Sequence, residues 1–165
     1  MTVEEHLETI NVHEVIITPG HEDRKESAEF RKAKERLKED GHYKCWVCGS
    51  TKNLQVHHFF IEWSLAATGD FEKMKELAET FDIYGYGKLL KNKPITSPDD
   101  IRNMMVLDQD HHTGTDSTDN TPTGIHNMTF PAWIMQKLSK DGFDPIPQEG
   151  QTVEKVEEQI KKLEE

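Results

Sequence analysis

Asn103-Met104-Met105-Val106-Leu107-Asp108-Gln109-Asp110-His111-His112 changes character half-way along its length. Residues 104–107 form an apolar run of strand length, and two acids followed by two histidines then read as the start of a helix. Upstream, Leu54-Gln55-Val56-His57 alternates like a strand, and Tyr43-Lys44-Cys45 leads into a tight Cys45-Trp46-Val47-Cys48-Gly49 turn. Together these three stretches describe an α+β chain built on a hairpin. A cysteine turn clips the hairpin at one end, and a helix carrying metal ligands follows it.

The flanks are read by period and by turn chemistry. Residues 11–18, with Val12, Val15, Ile16 and Ile17, form a short strand or an extended arm stopped by Pro19-Gly20. Residues 22–40 are expected to be a surface helix that buries a thin stripe of Ala28, Phe30, Ala33 and Leu37 and ends at Gly41. Residues 62–68 and 70–81 are also expected to be helical. The second of these would have Phe71, Met74, Leu77, Ala78 and Phe81 on one face. Gly85-Tyr86-Gly87-Lys88 breaks that pattern, residues 94–98 form a loop, and residues 113–123 form a polar loop expected to move. A short amphipathic helix bearing Trp133 should cover 131–138. A last helix over 152–165 carries Val153, Val156, Ile160 and Leu163, two heptads at most, so it is expected to dock rather than to build a coiled coil. The resulting division is 1–42 for the arm and charged helix, 43–148 for the main domain with a helical insert at 59–100, and 149–165 for the terminal helix.

Composition narrows the function classes. The chain has 165 residues, of which 34% are hydrophobic and 31% charged. That allows one domain with a modest core, where metal staples help most. Neither a long apolar run nor a leader pattern is evident, so a soluble cytoplasmic protein with no membrane partner is expected. In a reducing compartment, two cysteines spaced as Cys45 and Cys48 suggest a metal clip rather than a structural disulfide. The formal net charge of -11 argues against a simple nucleic-acid-binding module, because phosphate contacts come mainly from Lys and Arg.

Spacing assigns the ligands to two groups. Neighbouring residues on a strand point to opposite sides, and neighbours on a helix diverge by about 100°. His57 and His58 therefore suit two different tasks, as do His111 and His112. Cys45 and Cys48 with Asp108 and His111 make a structural zinc set; Asp110 or a water is the alternative to Asp108. His57, His58 and His112 make a second, catalytic group. A neutral imidazole can accept a proton at physiological pH, which makes His58 the candidate general base. His57 and His112 would then hold a divalent cation, and Asn103 would brace the His58 loop through its amide. His126 is a further candidate ligand, reaching back across the polar loop.

The run Cys45-x-x-Cys48-Gly49, Leu54-x-Val56-His57-His58, Asn103-Met104-x-x-Leu107, Asp108-x-x-His111-His112 resembles the HNH (His-Me finger, ββα-metal) endonuclease family in its zinc-bearing form. The likeness covers roughly residues 43 to 115. Asp108 and His111 stand where such proteins carry a second cysteine pair, and the insert between His58 and Asn103 is long. A Gly124-Ile125-His126…Phe130-Pro131-x-Trp133 continuation is similar to short phage-encoded chains. The resemblance implies a ββα-metal core with a zinc knuckle, a helical insert and flanking N- and C-terminal helices. It also implies His57 and His112 as ligands, His58 as base and Asn103 as the middle asparagine. The activity it implies is hydrolysis of DNA phosphodiesters, with Zn2+ as structural cofactor and Mg2+, Mn2+, Ni2+ or Zn2+ as catalytic ion.

For DNA contacts, Arg102 lies beside Asn103, and Lys88 and Lys91 sit in a stretch with Tyr84, Tyr86 and Lys93 suited to tracking a phosphate backbone. The acidic charge supports a second expectation: a catalytically silent zinc protein of the same build that binds and inhibits a host or phage protein.

Overall fold

The structure is a computed structural model in which residues 13–114 and 124–163 are described. It is α+β, with six α-helices and one two-stranded antiparallel sheet among the described residues. The helices are α1 (Ala28–Glu39), α2 (Phe71–Thr80), α3 (Tyr86–Leu89), α4 (Gln109–His112), α5 (Phe130–Leu138) and α6 (Val153–Lys161). Strand β1 (Leu54–His58) pairs with β2 (Met104–Asp108), with Leu54 opposite Asp108 and His58 opposite Met104. A hairpin of two strands is marginal alone, and here both of its faces are covered.

One face carries Val56, Met104 and Val106, which join Phe30, Ala33 and Leu37 of α1, Ile101 and Tyr86 in a single core. The charged N-terminal helix is thus part of the hairpin's packing. The other face carries Met105 and Leu107 against Cys45, with Ile83 and Ile125 alongside. A third core joins Phe60, Ile61 and Leu65 after β1 to Met74, Leu77 and Ala78 of α2 and to Ile134, Met135 and Leu138 of α5. The insert therefore packs on α5. On α6, Val156 and Ile160 are buried, so that helix is docked.

Several boundaries differ from the sequence expectation, each for a local reason. Helix α1 begins at Ala28 because the Ser27 hydroxyl accepts the Phe30 amide and fixes the N-cap there. It ends with Gly41 at φ +76°, as its C′ role requires. Residues 62–68 contribute only one 3-10 turn, Trp63–Leu65. Phe81, expected on the buried face of α2, is the C-cap residue of that helix and is 61% exposed. The Gly85-Gly87 break contains its own short helix, α3, whose Gly87 and Lys88 amides donate to the Asp82 carboxylate. Residues 13–18 form no strand; they run as an arm tied down by the Ile17 amide to the Pro145 carbonyl. Most of the polar loop expected at 113–123 lies outside the described residues. None of the helices described is long and apolar enough to cross a membrane.

Candidate metal centres

The first cluster grows out of the hairpin end. The Cys45 amide donates to the Ser50 carbonyl and the Gly49 amide to the Cys45 carbonyl, closing the turn, while the Trp46 amide donates to Val106 on β2. Asp108 ends β2 and caps α4, its Oδ1 accepting the His111 amide at 3.0 Å. These ties bring Cys45, Cys48, Asp108 and His111 together, with donor atoms all within 4.8 Å of one another. The Cys48 thiol donates to Asp108 Oδ2 at 3.0 Å, His111 Nδ1 lies 2.8 Å from Asp108 Oδ1, and Cys45 Sγ lies 3.6 Å from His111 Nδ1.

The electrostatics suit a cation. The hydrogen bond to Asp108 raises the Cys48 thiol to about 11. The same bond holds Asp108 down to about 2, with added help from His111. A proton thus occupies the place that a thiolate-bound metal would take. Two sulfurs, an imidazole and a carboxylate form a donor set of the kind zinc accepts. In a tetrahedral site with Zn–S near 2.3 Å and Zn–N near 2.0–2.1 Å, the S···N edge is about 3.6 Å, which matches the Cys45–His111 separation, whereas the Cys48–Asp108 and Asp108–His111 contacts, at 3.0 and 2.8 Å, are hydrogen bonds that would open on ion binding.

The second cluster is His57, His112 and His126, again within 4.8 Å of one another at their donor atoms. His57 comes from β1, His112 from α4 and His126 from the 3-10 turn Ile125–Asn127. Gly124 permits the third approach: a Cβ there would sit 2.3 Å from the His112 carbonyl. His112 and His126 meet Nε2 to Nε2 at 2.9 Å. Burial, together with the neighbouring histidines, lowers His112 to about 4 and also lowers His126, so both rings are neutral at physiological pH and available as ligands.

Gln55, which sequence reasoning missed, contacts His112 Nδ1 through its side-chain oxygen and leaves Nε2 facing the cluster. Strand alternation was the available signal, since Gln55 shares a face with His57. Glu62 was missed as well. Its Oε1 lies 3.0 Å from His57 Nε2, yet neither of these buried atoms has a hydrogen-bond partner. Orphaned buried polar atoms beside converging imidazoles are compatible with a metal ion held there.

The remaining expected residues divide. His58 points to the other face of β1. Its Nε2 donates to Asp99 Oδ1 at 2.7 Å, and its ring lies 5.7 Å from that of Phe30. Asn103 is buried and braces the loop after β1: its Oδ1 accepts the Phe60 and Ile61 amides, and its Nδ2 donates to the Ile61 and Pro98 carbonyls. It is a positioning residue. Arg102 is corrected. It is buried and directs five donor bonds to Asp100 and to the Leu90, Lys93 and Pro94 carbonyls, the full capacity of a guanidinium, so nothing is left for a phosphate. Tyr84 and Tyr86 are likewise engaged inside, with the Tyr84 hydroxyl accepting the Val106 amide and the Tyr86 hydroxyl donating to Asp40. Lys88 and Lys91 are exposed.

The charge of Arg24 contributes, after burial and the neighbouring histidines, to lowering His112 and His126. Its guanidinium lies over the Phe30 ring and, among the described residues, forms no ion pair. A cleft of about 850 Å³ opens beside the cluster, lined in part by Glu62, His126, Met128 and Phe130.

No protein-family model, curated protein or solved structure matches this chain.

Proposed function

We propose that this protein is a divalent-metal-dependent endonuclease of the HNH (His-Me finger) type, with a structural zinc at Cys45, Cys48, Asp108 and His111. One observation carries the reading. Three imidazoles from strand, helix and a distant turn converge beside a separate cysteine-bearing cluster, in the order hairpin then helix. An ion held by His57, His112 and His126 would neutralise charge on a scissile phosphate and make a water more acidic. His58 is the base in this reading. Asp99 fixes its ring through Nε2; the ring is buried on the face of β1 opposite His57, so the role as base requires a water to reach it at the strand end. Gln55 orients His112, Asn103 holds the loop that follows the base, and Arg24 supplies the positive charge expected earlier of Arg102.

The test is cleavage of supercoiled plasmid by zinc-loaded protein in the presence of Mg2+, Mn2+ or Ni2+. Nicking that disappears in His57→Ala, His112→Ala and His58→Ala supports the proposal. Undiminished nicking in His58→Ala removes that residue as base. The absence of nicking with every ion removes the nuclease reading.

The charge of -11 and a cleft lined, among the described residues, by no Lys or Arg favour a second reading, a metal-held acidic scaffold that binds a basic host or phage protein. In that case metal removal would abolish binding of the partner, and no cleavage would be found.

A further inference from the structure

The cleft of about 850 Å³ beside the histidines is poorly suited to a nucleic-acid backbone. Besides His126, its ionisable lining residues are Glu14 and Glu62, and no Lys or Arg lines it among the described residues. A phosphate brought there would meet carboxylates instead of cations, the reverse of what a duplex-binding surface offers. The cations sit elsewhere: Arg24 and Lys34 line a separate cavity of about 360 Å³ together with Gln55, the residue that contacts His112.

What the cleft does offer is apolar and aromatic surface. Met128 and Phe130 line it, and Met128 is 55% exposed. The Phe130 ring is held by Phe59, stacked at 5.2 Å with 22° between the planes. Trp133 stands 5.9 Å from the Phe130 ring, tilted by 46°, and is 58% exposed. A tryptophan and a methionine left in water around a fixed phenylalanine form the kind of exposed apolar patch that marks a binding surface. Nucleobases stack on such platforms whatever their sequence, and each stacked base contributes about 5- to 150-fold in affinity. The volume falls in the range of about 300–1,000 Å³ typical of small-ligand sites, which is room for a nucleotide.

His126 belongs both to the histidine cluster and to the cleft lining. A phosphodiester on an ion held there would therefore place an adjoining nucleotide in the cleft. In an intact duplex the base of that nucleotide is paired and stacked inside, and its faces are reached only after extrusion. We propose, on the basis of the nuclease reading, that this protein cleaves DNA at unpaired nucleotides, with a base next to the scissile phosphate held in the cleft against Met128, Phe130 and Trp133. The substrate class is then single-stranded or locally melted DNA. Stacking takes the place of most backbone cations, which reconciles a phosphate-bearing substrate with a net charge of -11.

The experiment uses full-length, zinc-loaded protein with Mn2+ and a fluorescent DNA oligonucleotide offered single-stranded, fully paired, or paired except for a central bubble. The single strand and the bubble should be cut with kcat/KM at least about 10-fold above the full duplex, and bubble cuts should fall within the unpaired stretch. Met128→Ala and Trp133→Ala, both at exposed positions, should together raise KM for the single strand about 5- to 150-fold with little change in kcat. A strand made abasic through the cut region should show a similar loss with wild type and no further loss with Trp133→Ala. Phe81→Ala, at an exposed aromatic outside the cleft lining, should cut as wild type does. Equal cutting of duplex and single strand, or an unchanged KM in the folded double variant, would overturn the substrate class and leave the nuclease reading standing. Trp133 fluorescence that responds to a lysine-rich peptide but not to the single strand would overturn it too, by giving the cleft to a protein partner. No cleavage of any form would overturn both.

Discussion

Replacing Asn103 with alanine tests how the site is held together. The side chain is fully buried and makes four hydrogen bonds of 2.7 to 3.1 Å, two accepted from Phe60 and Ile61 and two donated to Ile61 and Pro98. Truncation strips partners from two amides and two carbonyls. A buried group left unsatisfied costs about 1–3 kcal/mol, so four would cost about 4–12 kcal/mol if none found another partner. The amide leaves a polar gap, and a water admitted there would restore two or three of the bonds. The expected loss is therefore about 3–5 kcal/mol, a large part of the stability of an ordinary domain. For a chain of this size that corresponds to a fall in Tm of about 6–20 °C. Thermal unfolding followed by circular dichroism, with both metals saturating, measures it, and amide exchange at Phe60 and Ile61 localises it. A Tm within about 2 °C of wild type, with unchanged protection at these amides, would refute the bracing role.

Other outcomes follow from the same geometry. Zinc binding near pH 7 should release at least one proton, from Cys48, whose thiol lies at about 11. Calorimetry in buffers of different ionisation enthalpy would count it, and Cys48→Ser should lose it. His112 lies at about 4, below its ordinary 6.5, so between those values the unfolded chain holds a proton that the folded one lacks. The metal-free protein should thus lose stability as pH falls from 6.5 toward 4, and His112→Gln should flatten that slope in denaturant titrations. Gly124→Ala should displace His126 and weaken the second ion at least about 10-fold with the cysteine cluster unaffected, as metal competition would show. Arg24→Ala should weaken DNA binding and reduce its salt slope by about 1, whereas Arg102→Ala should destabilise the fold through its lost internal bonds.

What could be read from the sequence was whatever depends on neighbours along the chain. Alternation placed β1 and sent His57 and His58 to different faces, and a short apolar run placed β2; one helical turn joined Asp108 to His111 and set His112 apart. The stripe Phe30, Ala33 and Leu37 was readable for the same reason. Contacts that depend on a folded loop were not. Glu62 sat in a stretch read as helix, and only the amide of Asn103, more than forty positions away, turns it toward His57. Asp99 reaches His58 across a similar span. Arg102 failed as a phosphate contact because adjacency to Asn103 says nothing about burial, and the loop carbonyls that surround it come from residues 90–94.

Helix α4 is four residues long, and it carries His111 toward the cysteines and His112 toward the other imidazoles. Such a short segment has little rigidity of its own, so the phase of its rotation is set by whatever grips one side. If both clusters hold ions, their occupancies would therefore be coupled. Filling the cysteine position would preorganise the histidine position, and by linkage the second ion would tighten the first by the same factor. Supply of one metal would in this way govern retention of the other.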